Sequence, residues 1–398
     1  MKKIGIVGGG IVGLALAHKM QLRYPNFKVL VFEKENEVGK HQSSRNSGVL
    51  HCGLYYQPGS LKAHLAVTGI RQMTEFCQTY SIAHDICGKI VVANGPKEIK
   101  LLNDLAERGK QNGLDGLRFL SASELKSREP FVNSDKTLVV PQEGIVDYKA
   151  VMHKLVDLIL NAGGELHTNA KVENLVETDD KIEIVANAKT YSLDYIVSCS
   201  GLFSDRNFKN FTLQERPLRI VPFRGEYMML TEEAKKLVNH LVYPVPDPEF
   251  PFLGIHFTRL INGAREVGPN AVFAFKREGY TNKDFSFKDT IDAATYQGFL
   301  SFILKNFSFS IGEFKSSLSK KAFLNKAKKM IPDIELSHLT PGTAGVRAQA
   351  MDKTGKLLMD FNIIRYKNQV HVLNAPSPGA TASLAIADHI VNQYLDNL

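Results

Sequence analysis

Long apolar runs are missing from this 398-residue chain, and no stretch approaches the roughly 20 residues that a bilayer-spanning helix requires. Cysteine is scarce and dispersed. Cys52, Cys77, Cys87 and Cys199 form no close pair, which excludes a Cys-x-x-Cys redox dithiol and a paired-cysteine metal site, so no metal is expected. They read as reduced, packed side chains. Internal repeats and low-complexity tracts are also lacking, which excludes a solenoid and a long disordered linker. The first strand-like run begins at Lys3, so no signal peptide is expected and the setting predicted is cytoplasmic.

Positive charge is in excess. The formal net charge is +8, with 49 basic against 41 acidic residues, a diffuse balance that suits an anionic substrate, an anionic membrane surface or nucleic acid. The densest basic run is Lys315 to Met330. There Phe314, Leu318, Phe323 and Leu324 interleave with Lys320, Lys321, Lys326, Lys328 and Lys329, a pattern that fits either an amphipathic helix lying on a membrane or a solvated helix face. No nucleic-acid reading motif accompanies the charge, and no nucleic-acid partner is expected.

The N-terminal segment carries the clearest motif. Ile4 to Val7 read as a buried parallel strand, Gly8, Gly10 and Gly13 as a spaced glycine turn opening a helix, and Val29 to Phe32 as the next strand, ending on Glu33. In such a unit Gly8 permits the tight turn, Gly10 leaves room for a pyrophosphate, and Gly13 brings helix against strand. The helix start offers free amides to phosphate. Glu33 is placed to accept hydrogen bonds from ribose hydroxyls, and an acid there disfavours a 2′-phosphate, leaving NAD or FAD rather than NADP.

A second strand favours FAD. Tyr195 to Ser198 form a buried run that breaks at Gly201 into a turn and a helix, a late return to the nucleotide that a simple NAD domain does not need. From Arg219 onward, alternating and aromatic runs such as Tyr227 to Leu230 and Val272 to Phe275 predict an antiparallel sheet. The fold class expected is α/β (α+β overall), with a Rossmann-like FAD-binding domain and an interleaved antiparallel-sheet substrate domain. The cofactor domain is assigned to 1–85, 146–218 and 336–398, and the substrate domain to 86–145 and 219–335. A strand at Val370 to Asn374, a turn at Pro376 to Gly379 and a helix from about Thr381 close the chain.

Several polar groups are placed to do chemistry. The amides of Gly379, Ala380 and Thr381 would point at whatever lies above the last helix, where a reduced flavin gathers negative charge. The stretch Ser43 to Gly53 supplies Ser44, Arg45, Asn46, Ser47 and His51: Arg45 for a phosphate, Asn46 and Ser47 for the isoalloxazine edge, His51 for its face. Lys34, Val172 and Gly201 complete the expected cofactor contacts. His256 alternates with Ile255 and Phe257 on a strand and faces one side of the sheet. If that side covers the flavin, neutral His256 is suited to removing an alcohol proton. Arg347 and Arg224 are candidates for planar recognition of carboxylates. For each of these residues an ordinary structural role is the competing reading.

At these residues the chain resembles the L-2-hydroxyglutarate dehydrogenase or oxidase family, within the flavoenzymes similar to D-amino-acid and glycine oxidases. The resemblance spans nearly the whole length. It is carried by Asn46 to His51, Gly144 to Tyr148, Val221 to Tyr227, Tyr243 to Asp247, Phe250 to Thr258, Gly268 to Val272, Phe275 to Tyr280, Ala344 to Ala350 and Asn374 to Gly379. Cys52 stands where relatives often carry serine and Gly379 where some carry alanine; neither change removes a required donor. The resemblance implies FAD as cofactor, a dicarboxylate substrate, 2-hydroxyglutarate, oxidised to 2-oxoglutarate, a quinone or oxygen as electron acceptor, and peripheral membrane contact in some members. The expected reaction is hydride transfer from substrate C2 to flavin N5. His256 or His51 would act as base and Arg347 would hold one carboxylate, with Arg224 or Lys276 on the other. An amine or amino-acid oxidase similar to glycine oxidase, and a flavin-containing protein that only binds and docks to a membrane, are the alternatives.

Overall fold

The computed structural model describes residues 1–178, 181–247 and 252–396; Phe250 and Pro251 of the Phe250 to Thr258 motif lie outside them. The chain opens with β1 (Lys3–Val7), α1 (Ile11–Arg23) and β2 (Lys28–Phe32). Both strands are apolar on both faces, as strands covered on two sides must be. They pair in parallel, with Ile6 opposite Val31. Tyr195–Ser198 pairs in parallel on the other side of β1. Gln369–Asn374 follows, then Asn362–Tyr366 antiparallel at one edge, with Glu165–His167 beyond β2 at the other. Helices α1, Leu61–Thr79, Tyr148–Asn161 and Ser383–Tyr394 bury their apolar stripes with this sheet in the largest core cluster, among them Leu14, Met73, Leu155 and Ile386.

The second sheet has nine strands. Its long pair is Arg219–Leu230 against Leu339–Met351, antiparallel with Gly225 opposite Gly345 and Phe223 opposite Arg347. Arg265–Gly268, His256–Arg259, Leu241–Pro244, Lys89–Ala93, Lys136–Val140 and Arg118–Phe119 extend it away from that pair. It is antiparallel except between Leu241–Pro244 and Lys89–Ala93, so the sheet is mixed at that one seam. The chain crosses repeatedly between the two sheets. Because Leu339–Met351 belongs to the second sheet, the last return to the first sheet comes after Met351 and not at residue 336.

The basic segment departs from the sequence expectation. It is two helices, Phe307–Leu318 and Lys320–Ala327, which meet at Ser319, whose hydroxyl accepts the Ala322 amide at 3.2 Å and starts the second. Phe323 and Leu324 are buried against the large sheet with Val242 and Phe257. Packing in the core removes them from any membrane-facing stripe; the side chains of Phe314 and Leu318 lie outside those described. The exposed apolar residues of this region lie upstream, at Phe287, Leu300, Leu304 and Phe307. No helix among the described residues is long and apolar enough to cross a membrane.

Candidate active site

One cavity of about 1010 Å³ runs between the two sheets, lined at one end by Gly8, Gly10, Glu33 and Val172 and at the other by His51, Tyr243, His256 and Arg347. Its size is at the top of the range for small-ligand sites. The three glycines differ in what they permit. Gly8 has φ +111°, and a β-carbon there would stand 2.5 Å from the Cys199 carbonyl oxygen. A β-carbon on Gly13 would stand 2.1 Å from the Gly8 carbonyl oxygen. Both are therefore demanded by the protein's own backbone. Gly10 has an ordinary φ of −77°, and a β-carbon there would meet only the Ser43 hydroxyl, at 3.1 Å. The fold does not need that glycine, and it leaves open space in the cavity wall.

The surroundings of the turn agree with a dinucleotide. Gly10 precedes the first residue of α1, and the Ser43 hydroxyl accepts the Ile11 amide at 3.0 Å. Glu33 is buried and accepts the amides of Gly9 at 2.8 Å and Glu35 at 2.9 Å, which fixes its carboxylate at the end of β2. Lys34, Arg45, Asn46, Ser47, Gly201, Gly379, Ala380 and Thr381 also line the cavity. Ser44 does not; its neighbours Ser43 and Arg45 do.

Some of these side chains have other tasks. The Asn46 amide group donates to the Gln42 and Ser43 carbonyls and its oxygen accepts the Gly48 amide, so it holds its own loop together. Arg45 stacks on Tyr280 at 3.7 Å and donates to the carbonyls of Lys40 and Ala344. The Lys34 ammonium lies 2.6 Å from Glu35 and 2.7 Å from Glu278. It thereby fills the space among Glu35, His41 and Glu278, the one group of residues spaced to hold a metal ion among those described. At the last turn the Gly379 amide donates to Pro376. The amides of Ala380 and Thr381 have no acceptor among the described residues, so they are the donors left for a ligand.

At the far end the β-strand alternation decides which groups face inward. Gly225 lines the cavity and Arg224, its neighbour, points to the opposite side. There the Arg224 guanidinium bonds Glu226 at 3.0 Å, the Thr281 carbonyl at 2.8 Å and Asn282. Lys276 is exposed and also away from the cavity. Neither is placed to take a substrate carboxylate, which corrects the sequence expectation. Arg347, opposite Phe223, does line the cavity, lies 5.3 Å over the Phe252 ring and forms no ion pair with a described residue. Burial lowers its pKa from the usual value, a cost that an incoming anion relieves.

His256 is buried, and its Nδ1 lies 2.9 Å from the Gly254 carbonyl. A carbonyl only accepts, so Nδ1 carries the proton and Nε2 its lone pair. Burial lowers its pKa to about 3, and it stays neutral. Its ring stacks on Tyr243 at 3.9 Å. His51 Nδ1 lies 3.3 Å from Glu143, and the His51 amide donates to Thr381 Oγ1 at 3.2 Å. Thr381 also bonds the Val49 carbonyl and Tyr148, so the last turn of the chain pins the His51 strand.

Sequence reasoning passed over three charged residues here. Glu143 and Lys89 form a fully buried pair at 2.8 Å. Burial pushes the Glu143 carboxyl up, but Lys89 and His51 outweigh it and hold it at about 2. Lys62 is buried in the cavity wall, 4.5 Å over the Tyr56 ring and without an acid in ion-pair range among the described residues. Burial lowers its pKa to about 8. A lysine inside an apolar helix stripe and charges at strand ends were the available signals.

The chain is an FAD-dependent oxidoreductase. The family model for DAO, FAD dependent oxidoreductase, matches residues 3–393. The fold is similar to a solved structure of L-α-glycerophosphate oxidase from Mycoplasma pneumoniae with FAD bound, with TM-score 0.79 and 22% identity over 100% of this chain and 95% of that one. The sequence is 47% identical to an L-2-hydroxyglutarate dehydrogenase of Indibacter alkaliphilus over 96% of each chain. It is 42% identical to one from Escherichia coli K12 over 98% of this chain and 92% of that one. The chain belongs to the L-2-hydroxyglutarate dehydrogenase family.

Proposed function

We propose that this protein oxidises L-2-hydroxyglutarate to 2-oxoglutarate, passing the electrons to a quinone or to oxygen. The observation that carries the reading is Arg347, an inward cation without an ion-pair partner among the described residues, in the same cavity wall as His51 and His256. Gly8, Gly10, Glu33 and the amides of Ala380 and Thr381 hold FAD along the cavity. Bound there, FAD supplies the acceptor for the hydride leaving C2 of the substrate. Arg347 binds the carboxylate beside C2, and its planar fork fixes that end of the molecule. The distal carboxylate is taken by Lys62, which is buried in the same wall with no acid in ion-pair range among the described residues. A histidine with a bare Nε2 removes the hydroxyl proton as the hydride departs. Tyr227, Tyr243 and Phe252 add aromatic surface to the cavity wall.

Anaerobic addition of L-2-hydroxyglutarate to the yellow protein should bleach its absorbance. Bleaching by glycine or another amino acid, with none by the hydroxy acid, would overturn the reading in favour of an amine oxidase. We place the protein in the cytoplasm, attached peripherally to a membrane through the exposed Leu300, Leu304 and Phe307 and their neighbour Lys305. Apolar side chains flanked by lysine suit an anionic bilayer surface. Failure to sediment with vesicles containing anionic lipid would refute the attachment.

A further inference from the structure

Both histidines at the cavity wall are joined to one buried ion pair. Lys89 Nζ lies 2.8 Å from Glu143 Oε2, and neither side chain is exposed at all. The Gly88 amide donates to the Glu143 carbonyl at 2.8 Å, so the backbones that carry the pair are themselves tied. The ammonium sits 4.3 Å from the Tyr55 ring and 4.9 Å from the Tyr243 ring. Glu143 then reaches the other way. It receives His51 Nδ1 at 3.3 Å and, at 3.4 Å each, the Cys52 amide and thiol. Tyr243 stacks on His256 and presents an edge to His51 at 6.4 Å.

A buried ion pair is a poor stabiliser, because desolvating two charges offsets most of their attraction, and well-packed apolar residues commonly serve as well. Its presence against the site therefore asks for another reason. An ionised carboxylate only accepts hydrogen bonds, so beside it His51 must carry its proton on Nδ1 and keep the Nε2 lone pair. A protonated carboxyl would donate instead and select the opposite tautomer. The charge on Lys89 is what keeps Glu143 ionised in a site where burial favours the neutral acid. His256 has the same tautomer, but a neutral carbonyl behind it. Only His51 has a negative charge in contact, able to stabilise the imidazolium that forms when the ring takes a proton.

We propose that Lys89 and Glu143 are positioning residues that fix His51 as the Nδ1–H tautomer with Nε2 free, and thereby make His51, and not His256, the base that takes the substrate hydroxyl proton. The groups facing His51 are Glu143, Cys52, Tyr243 and His256, with Lys89 and Tyr55 behind them. The assignment of a substrate proton to His51 rests on the dehydrogenase reading; the tautomer does not.

The test has two arms on FAD-loaded protein and one on FAD-free protein. In 15N-histidine spectra of the FAD-free protein, His51, identified by its loss in His51→Gln, should show the Nδ1–H tautomer, and Lys89→Met should change it. In stopped-flow reduction, Glu143→Gln should slow the limiting rate ten-fold or more with little change in substrate Kd. It should also move the acid limb of the pH profile to lower pH, because the charge favouring protonation of the base is gone. The double variant Lys89→Met/Glu143→Leu removes both charges together and leaves no unpaired charge. A purely structural pair predicts a folded protein with wild-type rate, which would overturn the proposal, whereas a positioning pair predicts a folded, FAD-bound and slow one. If the double variant does not fold, Glu143→Gln decides alone, and a wild-type rate and pH profile there overturn the proposal. If the wild-type protein is not bleached by L-2-hydroxyglutarate, the substrate reading fails, while the histidine spectra still test the pair.

Discussion

Replacing Gly10 by alanine separates what the fold needs from what the cofactor needs. The new β-carbon meets no backbone atom; its nearest neighbour is the Ser43 hydroxyl at 3.1 Å, which needs to yield only slightly and can still accept the Ile11 amide. The backbone already has φ −77° and ψ 170°, a region open to every residue, so alanine brings no strain and less unfolded-state entropy. Stability should change by less than about 1 kcal/mol. The added carbon does occupy the volume through which a pyrophosphate approaches the amides at the start of α1. An overpacked contact of that kind costs roughly 1–3 kcal/mol, which is about a 5-fold to 150-fold loss of affinity. Gly13→Ala is the control, since its β-carbon would stand 2.1 Å from the Gly8 carbonyl oxygen and must displace α1 from β1. The assay is titration of apoprotein with FAD by flavin fluorescence quenching, beside a thermal melt without FAD. Gly10→Ala should melt with the wild type and bind FAD weakly; Gly13→Ala should melt early. Wild-type FAD affinity in Gly10→Ala would refute the assignment of that space to the cofactor.

Two further outcomes follow from the cavity wall. Arg347→Ala and Lys62→Met should each raise the substrate concentration needed for half-maximal flavin reduction ten-fold or more and leave FAD bound. Arg224→Lys, on the other face of its strand, should leave that concentration unchanged; the reverse pattern in a reduction titration would reinstate Arg224. Glu266 is buried, and burial raises its pKa from 4.5 to about 7. The unfolded carboxyl loses its proton near 4.5 and the folded one near 7, so the folded state holds more protons between them. Stability therefore falls as pH rises through that window, by about 3 kcal/mol in all. Urea melts of Glu266→Gln should lack this fall, and an equal slope in both proteins would show that Glu266 does not titrate there.

The cofactor half was legible because its demands are local. Gly13 answers to a backbone atom of the same strand, turn and helix, Gly8 takes the positive φ of the turn, and Glu33 ends the adjoining strand, so spacing alone locates them. His256 was legible through alternation with Ile255 and Phe257, which the core of the large sheet claims. The same alternation also makes Arg224 and Gly225 opposite, but a sequence does not state which of the two faces inward. Spacing alone therefore offers Arg224 as a substrate group. Ser44 for Ser43 is a one-residue error of the same origin, in a turn with no period to read. Lys89 and Glu143 belong to segments far apart in the chain, and each alone looks like a charge at a strand end. Only the pairing of the strands gives them a shared role.

Thr381 binds the Val49 carbonyl, the His51 amide and Tyr148, while Gln369–Asn374 inserts between Tyr195–Ser198 and the edge strand. Order of synthesis acquires a meaning from this. A nascent chain with the glycine turn and Glu33 already folded still lacks the strand and turn that close the cavity over them. The amides of Ala380 and Thr381 emerge from the ribosome long after Glu33. A fragment stalled before Gln369 thus carries the glycine turn without the strand and turn that stand beside it in the cavity wall.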